Sequence, residues 1–369
     1  MIIEISNVVQ STQIFLILFI IIFIFTFRKK TTSGFSLVLT QELKGLSILA
    51  VVFSHLGYSL VSDHSFLFPL SILGGVGVNI FLLLSGYGMV TSNLSKEISI
   101  PNFYKHQLLK LYKPFWLTLL FFFILDFLVL NKIYSFSYIG QSLLGFFPRA
   151  DLFLDINSPL WYFTFIVFYY LLFPLVFYRK HPWITGMTLA IIGYLMTLWN
   201  PQILKQVMYL YKLHFLAFPS GVFIGGLVFK YKDNLFEVIT KQNWKNSKYY
   251  KIIKKISYYL FVIFLVCLMG YTAYYSHVGD FYWYEQLTSL LTSGVIILLF
   301  LISKFENRLF YWFGIFSYEI YLIHWPILSR FDIFYRFLPA WLATVLYLLF
   351  FIFIGWIIKK ILIIRYSLK

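Results

Sequence analysis

The stretch that decides the fold is Lys44–His55, which reads KGLSILAVVFSH. A cation opens an apolar run, and a histidine follows eleven positions later. Because an α-helix rises about 1.5 Å per residue, the two residues lie about 16 Å apart along the axis. This spacing predicts a membrane-spanning helix that carries His55 near the middle of the bilayer, where ionisable groups are costly and usually functional.

The composition is that of a membrane protein. Of the 369 residues, 60% are hydrophobic and 12% are charged, whereas soluble domains carry about 25% charged residues. Apolar runs long enough to cross a bilayer recur along the chain. We therefore predict an all-α, polytopic membrane helix bundle of about eleven transmembrane helices. The predicted spans are residues 13–27, 44–61, 70–92, 114–130, 158–178, 183–199, 213–229, 257–275, 285–303, 309–328 and 338–358.

Topology explains the net charge of +16. When the loops alternate sides, 24 of the 30 Lys and Arg residues fall on one side of the membrane and 6 on the other. Because basic loops stay in the cytoplasm, the N-terminus is predicted outside and the C-terminus inside. No nucleic-acid partner is needed to explain the charge. Glu4 before the first span and the cations Arg28–Lys30 after it favour a retained helix over a cleaved signal peptide.

Two loops are distinctive. Residues 101–113 have helical spacing and an apolar face, which predicts an amphipathic interfacial helix that leads into the fourth span. The longest external segment, 131–157, holds Asp151 and Asp155 and either contacts an acceptor or is simply solvated. The one cysteine, Cys267, lies in an apolar run, and no Cys/His spacing predicts a metal site.

Ionisable groups inside the spans are the candidate catalytic residues. His55 is the candidate general base, because neutral imidazole accepts a proton near pH 7. Asp126 and Glu319 lie at a similar predicted depth, and either carboxylate can orient the histidine. His324 precedes a proline and is a candidate to bond the carbonyl groups that the proline frees. The structural alternative for His55 is a hydrogen bond to a neighbouring helix, and for Asp126 it is a position near the outer interface. The other histidines are predicted to be exposed: His64, His106, His181, His214 and His277.

Five motifs follow one another between residues 44 and 326. They are Lys44–His55, Phe81–Tyr87 (FLLLSGY), Lys105–Trp116, Leu160–Pro174 and Gly314–Pro326, which includes SYEIYLIHWP. In this order they resemble the motifs of acyltransferase family 3, polytopic membrane proteins that include bacterial glycan O-acetyltransferases. The resemblance covers the second to eleventh spans. Residues 1–43 are accordingly predicted to add one helix and a linker to a ten-helix acyltransferase domain at 44–369.

The resemblance implies an O-acyltransferase of the plasma membrane. It would move an acetyl or other acyl group from cytoplasmic acetyl-CoA to a hydroxyl of a cell-envelope or exported polysaccharide, or of a lipid-linked saccharide. The expected coenzyme-binding residues are Lys44, Lys105, Lys110 and Ser85, and the expected acceptor-binding residues are Trp161, Tyr318 and His324. Tyr318 or Ser85 is expected to stabilise the oxyanion, and a covalent acyl-histidine stays open. Lysine stands where the family commonly has arginine, which keeps the charge but loses the bidentate fork.

A transporter or flippase for a glycan or lipid-linked sugar is the main alternative, because it also needs many spans and intramembrane ionisable groups. Independence from acetyl-CoA would distinguish it. A glycan polymerase ranks last, because the longest predicted outer loop carries only Lys132 and Arg149 as cations. Membrane lipids are expected contacts, and a second copy of the chain or an envelope-assembly partner stays open.

Overall fold

The apolar runs form helices because a helix satisfies its own backbone N–H and C=O groups where water is absent. The computed structural model describes residues 3–32, 34–61, 63–96, 99–240, 248–276 and 282–367. His277 and part of the lysine-rich loop after Lys230 lie outside these ranges. The α-helices in chain order are α1 (Val8–Phe25), α2 (Leu37–Ser54), α3 (Gly74–Ser95), α4 (Ile100–Leu130), α5 (Phe136–Leu143), α6 (Trp161–Val176), α7 (Pro182–Trp199), α8 (Met208–His214), α9 (Ala217–Thr240), α10 (Lys248–Tyr275), α11 (Tyr282–Ile302), α12 (Arg308–Ile315), α13 (Ser317–Pro326) and α14 (Ala340–Ser367).

The prediction of an all-α, polytopic membrane protein is confirmed. Within the described part of the chain, ten helical segments are long and apolar enough to cross a membrane. The predicted span 309–328 forms α12 and α13, which meet at Phe316 (φ −108°, ψ 12°). A break of this kind frees backbone N–H groups at the start of the second helix. The predicted interfacial helix and the fourth span form one helix, α4, of 31 residues.

The helix that carries His55 begins earlier than predicted. Leu37 is its first residue, and the Ser36 hydroxyl accepts a hydrogen bond from the Leu39 N–H at 3.1 Å, which caps the helix. At His55 the α-helix changes to a π-helical turn, His55–Leu60. His55 therefore lies near the C-terminal end of the helical segment from Leu37 to Tyr58, and its depth in the bilayer stays a prediction. Such turns are frequent at functional sites.

Glycines allow α2 to pack closely against α12. A Cβ atom at Gly45 would overlap the carbonyl group of Phe310, and one at Gly314 would overlap that of Gln41. Gly77 of α3 lies in the same way against the carbonyl oxygen of Ser47 on α2. Small residues let membrane helices approach when no hydrophobic driving force is available. These contacts position the Lys44 end of the Lys44–His55 motif.

Two short strands are an addition to the predicted all-α fold. β1 (Phe27–Lys29) pairs antiparallel with β2 (Phe305–Asn307). The Arg28 Nε atom lies 3.0 Å from a carboxylate oxygen of Glu306 across this pair. The ribbon ties the end of α1 to the start of α12 on the predicted cytoplasmic side.

Candidate active site

His55 and His324 meet in the structure although they are 269 positions apart. The Nδ1 atom of His55 lies 2.8 Å from Nε2 of His324. The Nδ1 atom of His324 lies 3.0 Å from the carbonyl oxygen of Ile320 and 2.9 Å from that of Tyr321. Because carbonyl oxygens only accept, Nδ1 of His324 carries the proton of that neutral ring. Its Nε2 atom then accepts from Nδ1–H of His55, which leaves the lone pair of His55 on Nε2.

The carbonyl that Pro326 frees is bonded from the outer loop. A proline at this position has no N–H for the carbonyl of Leu322, four residues earlier. The Asn157 side-chain amide donates to that carbonyl oxygen at 2.9 Å. His324 bonds two earlier carbonyl groups instead, which corrects the expectation that it caps the carbonyl freed by the proline.

His55 lines a cavity of about 270 Å³, the outer cavity, which lies near the predicted outer ends of the helices. Gly75 at the start of α3, Trp161 at the start of α6, His214 at the end of α8 and Glu285 in the first turn of α11 also line it. Nε2 of His55 has no hydrogen-bond partner among the described residues. The predicted base and the predicted acceptor-binding residue Trp161 therefore share one cavity.

A second cavity of about 340 Å³, the inner cavity, lies on the predicted cytoplasmic side. Lys44, Ser85 and Lys110 line it, and the Ser85 hydroxyl lies 2.7 Å from that of Tyr170. The charges of Lys44 and Lys110 act on each other, so two of the predicted coenzyme-binding cations lie close together. Lys105 is exposed on α4 and belongs to neither cavity wall.

The two cavities share part of their walls. The residues that line both are Phe81, Tyr162, Ser317, Tyr318 and Tyr321. The Tyr318 hydroxyl donates to the carbonyl oxygen of Leu111 at 2.8 Å, so its proton is engaged with α4. This bond argues against the expected role of Tyr318 as an oxyanion donor. Ser317, the first residue of α13, has a hydroxyl without a partner among the described residues.

Asp126 is held away from both cavity walls. The carboxylate is buried, forms an ion pair with Arg330 and accepts a 2.6 Å hydrogen bond from the Tyr134 hydroxyl. Its partners therefore belong to the outer loop and to the turn after α13. The position beside Nδ1 of His55, expected for Asp126 or Glu319, is occupied by His324.

Glu319 faces the predicted cytoplasmic half of the bundle. It is buried on α13, and its charge interacts with the ammonium groups of Lys44 and Lys359. Lys359 also donates to the carbonyl oxygen of Ile315 at 3.0 Å. Glu319 is thus placed to balance the cations of the inner cavity. Lys359 is an addition to the predicted site, since its sequence position indicated only a topology signal.

His214 is the second residue that the sequence did not reveal. The sequence predicted an exposed side chain, but His214 is only 5% exposed and lines the outer cavity. Its Nδ1 atom lies 2.8 Å from Oδ1 of Asn79, and its ring stacks on Trp161 with centroids 5.7 Å apart. Asn79 could have indicated a buried partner such as His214, because an amide inside an apolar span requires a polar partner.

Internal hydrogen bonds support the longest external loop, 131–157, which is therefore not simply solvated. Asp155 is 5% exposed, and burial raises the pKa of its carboxyl group. It accepts a 3.0 Å hydrogen bond from the N–H of Asp151. Asp151 itself is exposed, and backbone hydrogen bonds from Leu154 and Phe153 lower its pKa. Asp155 therefore supports the loop, and Asp151 remains on the surface.

Comparison with known families defines the class of protein. A family model described as "Acyltransferase domain" matches residues 43–360. This match covers most of the chain, so the chain belongs to this acyltransferase family, and the resemblance carried by the five motifs is confirmed. The protein is a multi-pass membrane acyltransferase. A comparison with curated proteins finds no match, and a comparison with solved structures finds none either.

Proposed function

We propose that the protein is an O-acyltransferase of the plasma membrane. It moves an acetyl or other acyl group from cytoplasmic acyl-CoA to a hydroxyl of a cell-envelope or exported polysaccharide. One observation carries this proposal: His55, with its lone pair on Nε2, lines an outer cavity that shares a wall with the lysine-lined inner cavity. Donor and acceptor can therefore approach the same layer of side chains from opposite sides.

The donor site is the inner cavity. Its cations are Lys44 and Lys110 on the wall, with Lys359 close to Lys44. Coenzyme A is anionic, and ammonium groups bind phosphate as point charges without the fixed geometry of arginine. In this arrangement the phosphates stay at the lysines, and the thioester extends towards Ser317 and Tyr318.

The acceptor hydroxyl enters the outer cavity and donates its hydrogen bond to Nε2 of His55. As the oxygen attacks the thioester carbonyl, Nε2 takes the proton, and the imidazolium is stabilised by its bond to His324. The C–O ester bond forms, the C–S bond breaks, and the thiolate leaves. The imidazolium then returns the proton to the sulfur, so the products are an ester and coenzyme A thiol.

The developing oxyanion requires a donor at the shared wall. We assign this role to the Ser317 hydroxyl, which belongs to the first residue of α13 and lies in the wall that both cavities share. Donors fixed before the reaction stabilise the transition state without reorganisation. This assignment replaces Tyr318, whose proton is bonded to Leu111.

The test uses the purified full chain in nanodiscs with radiolabelled acetyl-CoA and envelope polysaccharide as the acceptor. Wild type is expected to transfer label to the polysaccharide, and His55→Ala is expected to lose transfer while remaining folded and monodisperse. His64→Ala is the matched control, because His64 is exposed in a loop and lines neither cavity. Normal transfer by His55→Ala would remove the base assignment.

Two other outcomes have defined meanings. Label that stays on the protein after rapid quenching, and disappears in His55→Ala, would indicate a covalent acyl-histidine. Movement of a lipid-linked sugar across the bilayer without acetyl-CoA, with no transfer under any condition, would instead support the transporter or flippase alternative.

A further inference from the structure

A buried chain of polar side chains backs the outer cavity. Asn79 is 1% exposed, and its side-chain amide donates to the Ser289 hydroxyl at 2.9 Å. Its Oδ1 atom lies 2.8 Å from Nδ1 of His214. Three polar residues from α3, α8 and α11 thus meet inside the bundle, where interhelical hydrogen bonds help to join membrane helices. The chain also fixes the orientation of the His214 ring beside the outer cavity.

The direction of these hydrogen bonds determines which nitrogen of His214 carries the proton. Because the Asn79 nitrogen donates to Ser289, its Oδ1 atom accepts from Nδ1–H of His214. The lone pair of the neutral ring is therefore on Nε2. That atom has no hydrogen-bond partner among the described residues, and His214 lines the outer cavity. His55 has the same tautomer for a different reason, its bond to His324.

The space beside His214 is kept open and its ring is kept in place. A Cβ atom at Gly75 would lie 3.6 Å from Cε1 of His214, so any larger side chain there would fill this part of the cavity. On another side, the ring stacks on Trp161 with an interplanar angle of 19°. The cavity of about 270 Å³ is slightly smaller than common small-molecule pockets of about 300–1,000 Å³. It suits one sugar ring.

We propose that His214 is the residue that positions the acceptor, and that the acceptor ring carries at least two hydroxyl groups. Nε2 of His214 accepts a hydrogen bond from one hydroxyl and anchors the ring, while a second hydroxyl meets Nε2 of His55 and reacts. This inference rests on the proposed function. In this proposal, His214 is the residue that makes the enzyme prefer a polyhydroxylated ring to an alcohol with one hydroxyl group.

The test measures acetyl transfer by the full chain in nanodiscs while acceptor and donor are titrated separately. Envelope polysaccharide and 1-propanol are the two acceptors, compared at equal hydroxyl concentration. For His214→Ala we expect the acceptor KM for polysaccharide to rise about tenfold, which corresponds to one lost hydrogen bond. The KM for acetyl-CoA and the rate with 1-propanol are expected to stay within twofold of wild type.

Two further variants distinguish positioning from a structural role. His214→Gln places an amide oxygen near the position of Nε2 and is expected to recover part of the lost acceptor affinity. Gly75→Val fills the space beside His214 without removing a polar group, and is expected to raise the polysaccharide KM without raising that for acetyl-CoA. If His214→Ala folds poorly, the Gly75→Val variant still tests the proposal.

The outcomes separate this inference from the function on which it rests. Wild-type transfer together with an unchanged acceptor KM in His214→Ala and Gly75→Val would overturn the role of His214 alone. An equal rise of both KM values would also overturn it, because that pattern indicates a distorted bundle. No transfer by wild type to either acceptor would overturn the proposed function first. His64→Ala is the control throughout.

Discussion

The carboxylate of Asp126, near the end of α4, forms a buried ion pair with the guanidinium of Arg330, in the turn that follows α13. Arg330 also donates to the carbonyl oxygen of Ile156 at 2.6 Å, and Tyr134 donates to the same carboxylate. The pair therefore joins α4, the outer loop and the segment that carries His324. It holds these elements together at the predicted outer end of the bundle.

Breaking this pair is expected to destabilise the fold. In Arg330→Ala the Asp126 charge stays buried without its partner, which costs about 3–5 kcal/mol in comparable sites. The loss of stability is measured by heating the detergent-purified protein and recording, by size-exclusion chromatography, how much folded protein remains at each temperature. Lys205→Ala is the comparison, because Lys205 is exposed and substitutions of exposed side chains usually change stability little. Equal unfolding temperatures for Arg330→Ala and wild type would contradict the structural role.

His324 is expected to control the rate through His55. In His324→Ala, Nδ1–H of His55 loses its acceptor, and the ring is no longer held in the reactive tautomer. We expect turnover to fall by about 10²–10⁴-fold, with little change in the KM for acyl-CoA. His324→Gln, whose amide oxygen can accept from Nδ1–H, should retain more activity than the alanine variant. Equal turnover in the two variants would argue against control of the tautomer.

The inner-cavity lysines are expected to determine donor affinity. Lys44→Ala and Lys110→Ala each remove a cation from the cavity wall. A charged hydrogen bond contributes about 1.5–3 kcal/mol, so the KM for acetyl-CoA should rise by about ten- to a hundredfold. Lys105→Ala, at an exposed site outside both walls, is the control. An equal effect of all three substitutions would indicate a general surface charge and no defined donor site.

The oxyanion assignment predicts a large effect from one hydroxyl. Ser317→Ala is expected to lower kcat by about 10²–10³-fold, the usual cost of one removed donor. Both KM values should change little, because the donor acts on the transition state. Ser317→Thr keeps a hydroxyl and should retain more of the rate. Steady-state kinetics with acetyl-CoA and polysaccharide give the result, and an unchanged kcat in Ser317→Ala would exclude the role.

The glycine crossing of α2 and α12 predicts a difference between two helical glycines. Gly45→Ala places a methyl group on the Phe310 carbonyl, and overpacking of this kind costs about 1–3 kcal/mol or more. Gly294→Ala, in α11, meets no atom within 4 Å. It should be neutral or slightly stabilising, since alanine is the better helix former. Matched thermal unfolding of the two variants tests this contrast.

Hydropathy patterns predicted eleven spans, and ten of these correspond to long apolar helices within the described residues, because the bilayer requires such segments. They did not predict the break at Phe316, since both halves of that span are apolar. The pairing of His55 with His324 depends on how two helices are rotated about their axes, which a pattern within one helix does not encode. For the same reason the carboxylates of Asp126 and Glu319 were equally good candidates by depth, and His214 had no distinguishing signal of its own.

The tyrosine-rich layer between the two cavities has a consequence for the energetics of the cell. A protein with one cavity on each side of the membrane is at risk of becoming a path for protons and of dissipating the membrane potential. Phe81, Tyr162 and Tyr321 place bulky rings in the wall that both cavities share, and the bond from Tyr318 to Leu111 holds another ring of this wall in place. In the proposed reaction the acyl group moves outward past this layer and the acceptor's proton moves inward to the coenzyme thiol, while the charged coenzyme remains on the inner side.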